Sequence, residues 1–449
     1  MSGGNRVNDS IKVPKVSSFA DRSTMSTLQA LKPLIICPSL FPFVLLAIGL
    51  SAGAALGQQP STAGANLFAP SPQLGKTVDA ERALPITSFY SHIELKSGAK
   101  PGTLIRSESA TDYDLPPGIS ATRILYYTRT ASGNDALASG VVLVPYGPAP
   151  KGGWPLLAWS HGTSGVARGC APSLMKSLFY NWEGLYEYVL MGYAVVGTDY
   201  AGLGTEGRHA YLDMLSNGTD VIHSVSAAHA AVSTLSEKWL VIGHSQGGLS
   251  SLGVAELEGA IKDPNFLGTV ALAGASDLED GINAVVRAKL PVLNGLLGFW
   301  VFGAKTVYPE LELEDILTSK ALAIYNASVN DGCSAASGAF AALPTDEVLL
   351  PGWKDNRHIK QFLARNQPGI KPTHGPLLLV GGGEDILFTE SAGKKIFQRL
   401  CSSGTRVQRN LYPGLGHDPV VYGSLRDQLD WIAARFSGEP APSNCPSPK

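Results

Sequence analysis

Charged side chains are scarce: Asp, Glu, Lys and Arg make up 16% of the 449 residues, against roughly a quarter in an ordinary soluble domain. The 35 basic and 37 acidic residues nearly cancel to a net charge of −2. No electrostatic footprint for a phosphate backbone is left, so no nucleic-acid partner is expected. Low charge combined with a 44% hydrophobic fraction also excludes a long disordered chain. Cysteine is confined to five positions without a C-x-x-C pair, which excludes a zinc ribbon or a thioredoxin-like site. The nine histidines show no H-E-x-x-H and no tightly spaced ligand set, so neither a metal nor a cofactor is expected. The 50 glycines and 30 prolines follow no Gly-X-Y period, so they read as turns rather than a fibrous repeat.

One long uncharged run is present, Pro33–Leu56, reading PLIICPSLFPFVLLAIGLSAGAAL. Arg6, Lys12, Lys15, Arg22 and Lys32 precede it, and Ala52–Ala55 and Gly57 close it with small residues. Basic start, apolar centre and small-residue exit are the parts of an export signal. Residues 1–57 are therefore read as a signal segment cleaved near Ala55–Gly57, and Met25 would give its basic part an ordinary length. The alternative is an uncleaved anchor over 33–56, which Pro38 and Pro42 interrupt. The expected location is secreted or periplasmic. Loss of Cys37 with the signal leaves four cysteines, an even set that suggests two disulfides with three pairings open.

Residues 58–84, rich in Pro, Ser and Ala, read as a flexible arm. Ile119–Thr130 and Ala136–Pro145 read as a β-hairpin. Short apolar runs then alternate with helical patterns. Strands are expected at Pro155–Ser160, Tyr193–Thr198, Trp239–Gly243, Leu267–Ala273, Pro376–Val380 and Arg406–Leu411. Helices are expected at Leu174–Leu190, Thr219–Leu235, Gln246–Ile261, Ser391–Cys401 and Ser424–Phe436. Such alternation means an α/β fold, a mostly parallel sheet covered on both faces. The pattern stops over 277–372, which reads as an inserted helical cap between core segments 85–276 and 373–437, with a tail at 438–449.

The chemistry concentrates at the ends of these strands. Gly243-His244-Ser245-Gln246-Gly247-Gly248 is a G-x-S-x-G run between a buried strand and a helix. The glycines let backbone pass close by a tight turn that lifts the Ser245 hydroxyl, and the Gln246 N–H at the helix start can bind an oxyanion. A serine nucleophile needs a base that titrates near neutrality. His417, in the glycine-rich loop Tyr412–Pro419 after the last strand, is placed to supply it. The third member must orient that imidazole. Asp385, in GGGED after the preceding strand, gives the chain order Ser…Asp…His, with Glu384 and Asp277 as alternatives. The turn His161-Gly162-Thr163-Ser164-Gly165 would add a second oxyanion donor, the N–H of Thr163 or of Gly162. Asp199–Gly204 (DYAGLG) is expected to line the cleft through Tyr200 and Leu203, with Asp199 structural.

HGTSG, DYAGLG, GHSQGG, GGGED and GLGHDP together resemble the secretory lipase family of α/β-hydrolases over about Thr87–Phe436. The resemblance implies an α/β-hydrolase fold, a triad of Ser245, Asp385 and His417, and a helical cap before the acid-bearing strand. Carried over by position from fungal relatives, it implies the disulfides Cys170–Cys333 and Cys401–Cys445. Gln246 stands where the yeast relatives have glycine, and HGT replaces an acidic segment; both look like bacterial members.

The resulting expectation is a secreted carboxylic ester hydrolase, lipase-like, acting on an ester or lipid substrate and admitting transient contact with a lipid interface. An acyltransferase on the same triad and a non-catalytic binding protein are the alternatives. In the cap, Leu290–Val301 (LPVLNGLLGFWV) is either buried against the core or a wall of the acyl pocket. Leu296, Leu297 and Phe299 are its candidate contacts.

Overall fold

The computed structural model describes residues 72–446 apart from 92, 179–183 and 331. The expected signal segment 1–57, its apolar run 33–56, the first part of the arm and residues 447–449 lie outside the described residues. Among those described, no helix is long and apolar enough to cross a membrane.

The chain begins with α1 (Pro72–Arg82), where a loose arm was expected. The helix is tied to a distant segment by Asp79, whose carboxylate accepts the Cys333 N–H at 2.8 Å. Three strands follow, β1 (Leu104–Ala110), β2 (Ile119–Arg129) and β3 (Asp135–Pro145). They are antiparallel neighbours, with Thr128 opposite Ala136 across the expected hairpin. From there strands and helices alternate: β4 (Trp154–Ser160), α2 (Leu185–Leu190), β5 (Ala194–Thr198), α3 (Met214–Ala231), β6 (Leu235–His244), α4 (Gln246–Ile261) and β7 (Phe266–Leu272). Four helices come next, α5 (Leu278–Ala288), α6 (Asn294–Val307), α7 (Ser319–Asn330) and α8 (Arg357–Arg365). The alternation resumes with β8 (Leu377–Gly382), α9 (Glu390–Ser402), β9 (Val407–Tyr412), α10 (Pro419–Gly423) and α11 (Leu425–Phe436).

All nine strands form one sheet in the order β1-β2-β3-β5-β4-β6-β7-β8-β9. The six from β5 to β9 are parallel. A parallel strand buried on both faces sends alternate side chains to opposite layers. Thus Leu240 and Ile242 of β6 join the layer of α2 and α11, with Val189 and Ile432. Trp239 and Val241 join the layer of α3, with Val221 and Val225. This is the α/β-hydrolase fold.

Two helix expectations move. Leu174–Leu190 is not one helix: Pro172–Leu174 is a 3-10 turn, and α2 starts only at Leu185. Leu178 takes a left-handed φ of 45° inside the span, and Gly184 one of 76° ahead of α2. The helix expected from Thr219 starts at Met214, because Asp213 caps it by accepting the Ser216 N–H at 2.9 Å.

Between β7 and β8, α5–α8 enclose a second apolar core that includes Phe299, Val301, Phe302, Phe340, Ile359 and Phe362. Both disulfides expected from the resemblance are formed. Cys170–Cys333 joins the loop after β4 to this helical segment, and Cys401–Cys445 joins α9 to the C-terminal tail. The tail also meets β9 directly: Asn444 donates to the Val407 carbonyl at 3.1 Å, and its side chain bonds Arg409 N–H and C=O.

Candidate active site

The carboxyl ends of β4, β6, β7, β8 and β9 converge on one cavity, as open parallel sheets dictate. Ser245 sits between β6 and α4 at φ 58°, ψ −120°, a conformation that a non-glycine residue holds only when its surroundings force it. The forcing contacts are local. The Ser245 N–H donates to the Leu272 carbonyl at 3.0 Å. A Cβ on Gly247 would lie 1.8 Å from the Ser160 carbonyl oxygen, so no other residue fits there.

The Ser245 hydroxyl lies 2.9 Å from His417 Nε2, and His417 Nδ1 lies 2.8 Å from Asp385 Oδ2. Asp385 also accepts the N–H groups of Leu387 and Phe388 at 2.8 and 2.9 Å. Burial works against the ionised carboxyl, but the charge and hydrogen bond of His417 and these two N–H groups outweigh it, holding Asp385 below its ordinary range. Burial likewise pulls the His417 imidazole down, while the charge and hydrogen bond of Asp385, with a smaller contribution from Asp418, carry it above its ordinary value. Phe388 stacks on the imidazole at 5.4 Å and 11°.

The alternatives for the acid are placed otherwise. Glu384 is exposed, its N–H bonded to the Leu415 carbonyl. Asp277 stands just ahead of α5 and is clamped by Arg399 at 2.7 and 2.9 Å and by Lys395 at 2.6 Å. Asp199 is buried and accepts from Ser139 at 2.6 Å and from the Ser173 N–H at 2.8 Å, a structural knot. Burial pushes its carboxyl up to about 6.

Thr163 lines the cavity and Gly162 does not; the Gly162 carbonyl faces His161 Nδ1 at 2.6 Å in the interior. Gln246 opens α4, so its N–H has no intrahelical acceptor. Its side chain turns inward and donates to His209 Nε2 at 3.0 Å and Asn217 Oδ1 at 3.2 Å. Burial pushes His209 down to about 3, which keeps the ring neutral, with one nitrogen able to accept.

The cavity holds about 240 Å³ and is walled mainly by apolar side chains, among them Leu278, Ile282, Val285, Leu293, Leu296 and Leu297. Ser245, His417, Thr163, Asp277 and Asp418 also line it. Three expected contacts fall elsewhere. Tyr200 and Leu203 are fully buried in the α3 layer, and the Tyr200 hydroxyl donates to the His161 carbonyl at 3.0 Å, bracing the turn from below. Phe299 packs edge-on against Tyr211 at 5.9 Å. On α6 the helical period sets residues 293, 296, 297 and 300 on one face, and those four line the cavity. Position 299 points away. Leu290–Val301 is thus both cap core and cavity wall, divided by face.

Sequence reasoning missed Trp300, Leu249 and Phe388 as lining residues, and Tyr211, whose hydroxyl lies 2.7 Å from Thr163 Oγ1. For Trp300 the signal was available, since it stands three residues after Leu297. Also missed was the group His244, His417 and Asp418, whose ligand atoms lie within 4.8 Å of one another. His244 Nε2 faces the His417 carbonyl at 3.1 Å, and both His417 nitrogens are engaged, so this group is not arranged around a metal.

The family model for serine aminopeptidase, S33, matches residues 185–421, a span that holds Ser245, Asp385 and His417. The chain belongs to that family of α/β-hydrolases. Solved structures agree on the fold. The closed state of Candida antarctica lipase A is 16% identical, with a TM-score of 0.68 over 82% of this chain and 90% of that one. The rice cell wall degrading esterase LipA from Xanthomonas oryzae is 20% identical, with a TM-score of 0.62 over 75% of this chain and 97% of that one. No curated protein matches the sequence.

Proposed function

We propose that this hydrolase is an exported serine carboxylic ester hydrolase of the lipase or esterase type, within the secretory lipase family. The observation that carries the reading is the hydrogen-bonded line Ser245–His417–Asp385 opening onto an apolar cavity. His417 Nε2 takes the Ser245 proton as the hydroxyl oxygen attacks the ester carbonyl. Asp385 orients the imidazole and stabilises its charged form. The N–H groups of Thr163 and Gln246 receive the carbonyl oxygen as it becomes anionic. The alcohol leaves with the proton from His417, and water, activated by the same histidine, frees the acid from Ser245. The leucines of the wall favour an acyl chain over a charged peptide amino terminus, and Asp277 at the mouth is already bound to Arg399 and Lys395. Two disulfides support an oxidising compartment, in keeping with export through residues 1–57. The names of the structural neighbours, a lipase and an esterase, point the same way.

A serine-directed phosphonate and a chain-length series of p-nitrophenyl esters, with and without emulsified triglyceride, test this. The wild type is labelled and turns over esters. Ser245→Ala is not labelled, and both Ser245→Ala and His417→Ala lose about a thousandfold or more in turnover. Near-normal turnover in either variant rejects the assignment. Product analysis with an added alcohol separates hydrolysis from acyl transfer.

A further inference from the structure

The turn that carries Thr163 is gripped from a distant part of the chain. Ser334, fully buried, donates its hydroxyl to the Thr163 carbonyl at 2.7 Å and its N–H to the Ser164 carbonyl at 2.9 Å. Gly165, at φ 133°, comes so close to the Cys170–Cys333 bridge that a Cβ there would lie 2.7 Å from Cys170 Sγ and 3.0 Å from Cys333 Cα. Three consecutive residues of the turn are therefore each met by the dipeptide Cys333-Ser334, about 170 positions later in the chain. On the other side the Thr163 hydroxyl is held by Tyr211. The two carbonyl bonds hold the peptide planes on the C-terminal side of Thr163, and Tyr211 holds its side chain, so the Thr163 Cα and the point at which its N–H is attached are fixed; the plane of that N–H is shared with the Gly162 carbonyl, which faces His161 Nδ1 at 2.6 Å.

We propose that Ser334 is a positioning residue for the oxyanion hole, holding Thr163, and with it the place of its N–H, beside the reacting carbonyl oxygen through hydrogen bonds to the Thr163 and Ser164 carbonyls. This rests on the ester-hydrolase reading above. The helical segment between β7 and β8 thereby contributes to the chemical step as well as to the walls of the cavity. The hole is needed only once negative charge develops, so its loss falls on turnover rather than on ground-state binding.

Steady-state kinetics on a soluble p-nitrophenyl ester, with a trifluoromethyl ketone as inhibitor, test the proposal in the full chain. The ketone adds to Ser245 to give an anionic oxygen that must enter the hole. Ser334→Ala is expected to lower kcat about tenfold with KM within about twofold, the size of effect that a small misplacement produces. Ketone affinity should fall by the same factor, and Ser334→Thr, which keeps the hydroxyl, should recover most of both. Wild-type kcat in Ser334→Ala overturns the proposal, as does a kcat loss that leaves ketone affinity intact. Should Ser334→Ala fail to fold, Tyr211→Phe loosens the same residue from the other side and is expected to show the same paired loss; unchanged ketone affinity there overturns the proposal. Wild-type turnover in Ser245→Ala removes the underlying reading instead, whatever Ser334 does.

Discussion

The two sides of the Ser245 cavity are held in different ways. The nucleophile turn is braced by its own neighbours: Gly247 against the Ser160 carbonyl, and the Ser245 N–H on Leu272 in the adjoining strand. The Thr163 turn, at the end of β4, is braced by Cys333 and Ser334, which belong to the helical segment inserted after β7. Strand ends thus place Ser245, Asp385 and His417, while the insertion holds the turn that carries Thr163. On the proposal above, a change in the insertion alters turnover while Ser245, Asp385 and His417 stay in place.

The sharpest way to divide the insertion's two duties is along α6. Phe299→Ala empties a fully buried site and is expected to cost about 3–5 kcal/mol of stability with chain-length preference unchanged. Leu296→Ala, at the half-buried cavity wall, is expected to alter the ratio of long-chain to short-chain ester hydrolysis at a much smaller stability cost. Melting curves and ester series on both variants read this directly. A preference shift in Phe299→Ala without one in Leu296→Ala would reverse the division of faces.

The disulfides offer a second contrast. Loops of 44 and 163 residues give each bridge about 2–5 kcal/mol in the chain-entropy account. Serine in place of both cysteines of Cys401–Cys445 should lower the melting temperature and leave kcat alone. The same change at Cys170–Cys333 should lower both, because that bridge lies against the Thr163 turn. Equal kcat in the two variants would break the comparison.

The smallest expected effect is in the pH profile. His417 must be neutral to accept the Ser245 proton, so kcat/KM should rise with pH as the imidazole loses its proton, with a midpoint above the ordinary 6.5. In Asp385→Asn the raising charge is gone and burial pulls the imidazole down, so the midpoint should move to lower pH as the rate falls. An unmoved midpoint would take Asp385 out of the pair.

Much of this was legible in the chain because it is written locally. The Gln246–Ile261 helix has the bounds expected of it, since a motif and an apolar period agree there. Ser245, Asp385 and His417 each follow a strand of the parallel part of the sheet, and strand ends converge there. Tyr200 and Leu203 misled because a loop at a strand end can turn under the site as well as into it, and only packing decides which. Ser334 carries no motif; its role exists through contacts closed by the fold over more than 160 residues. Pro72–Arg82 hid behind a composition that suits a linker, and it is fixed to the rest of the chain by the Asp79–Cys333 contact.

The tail beyond α11 has a consequence for the open edge of the sheet. β9 is the last strand of the sheet, and an outermost strand offers bare N–H and C=O groups on which a second molecule can add a strand. Asn444 occupies the main chain at Val407 and Arg409, and Arg406 holds the Ala441 carbonyl at 2.8 Å. The Cys401–Cys445 bond keeps that cover in place covalently. The bridge thus serves as a guard against edge-to-edge aggregation.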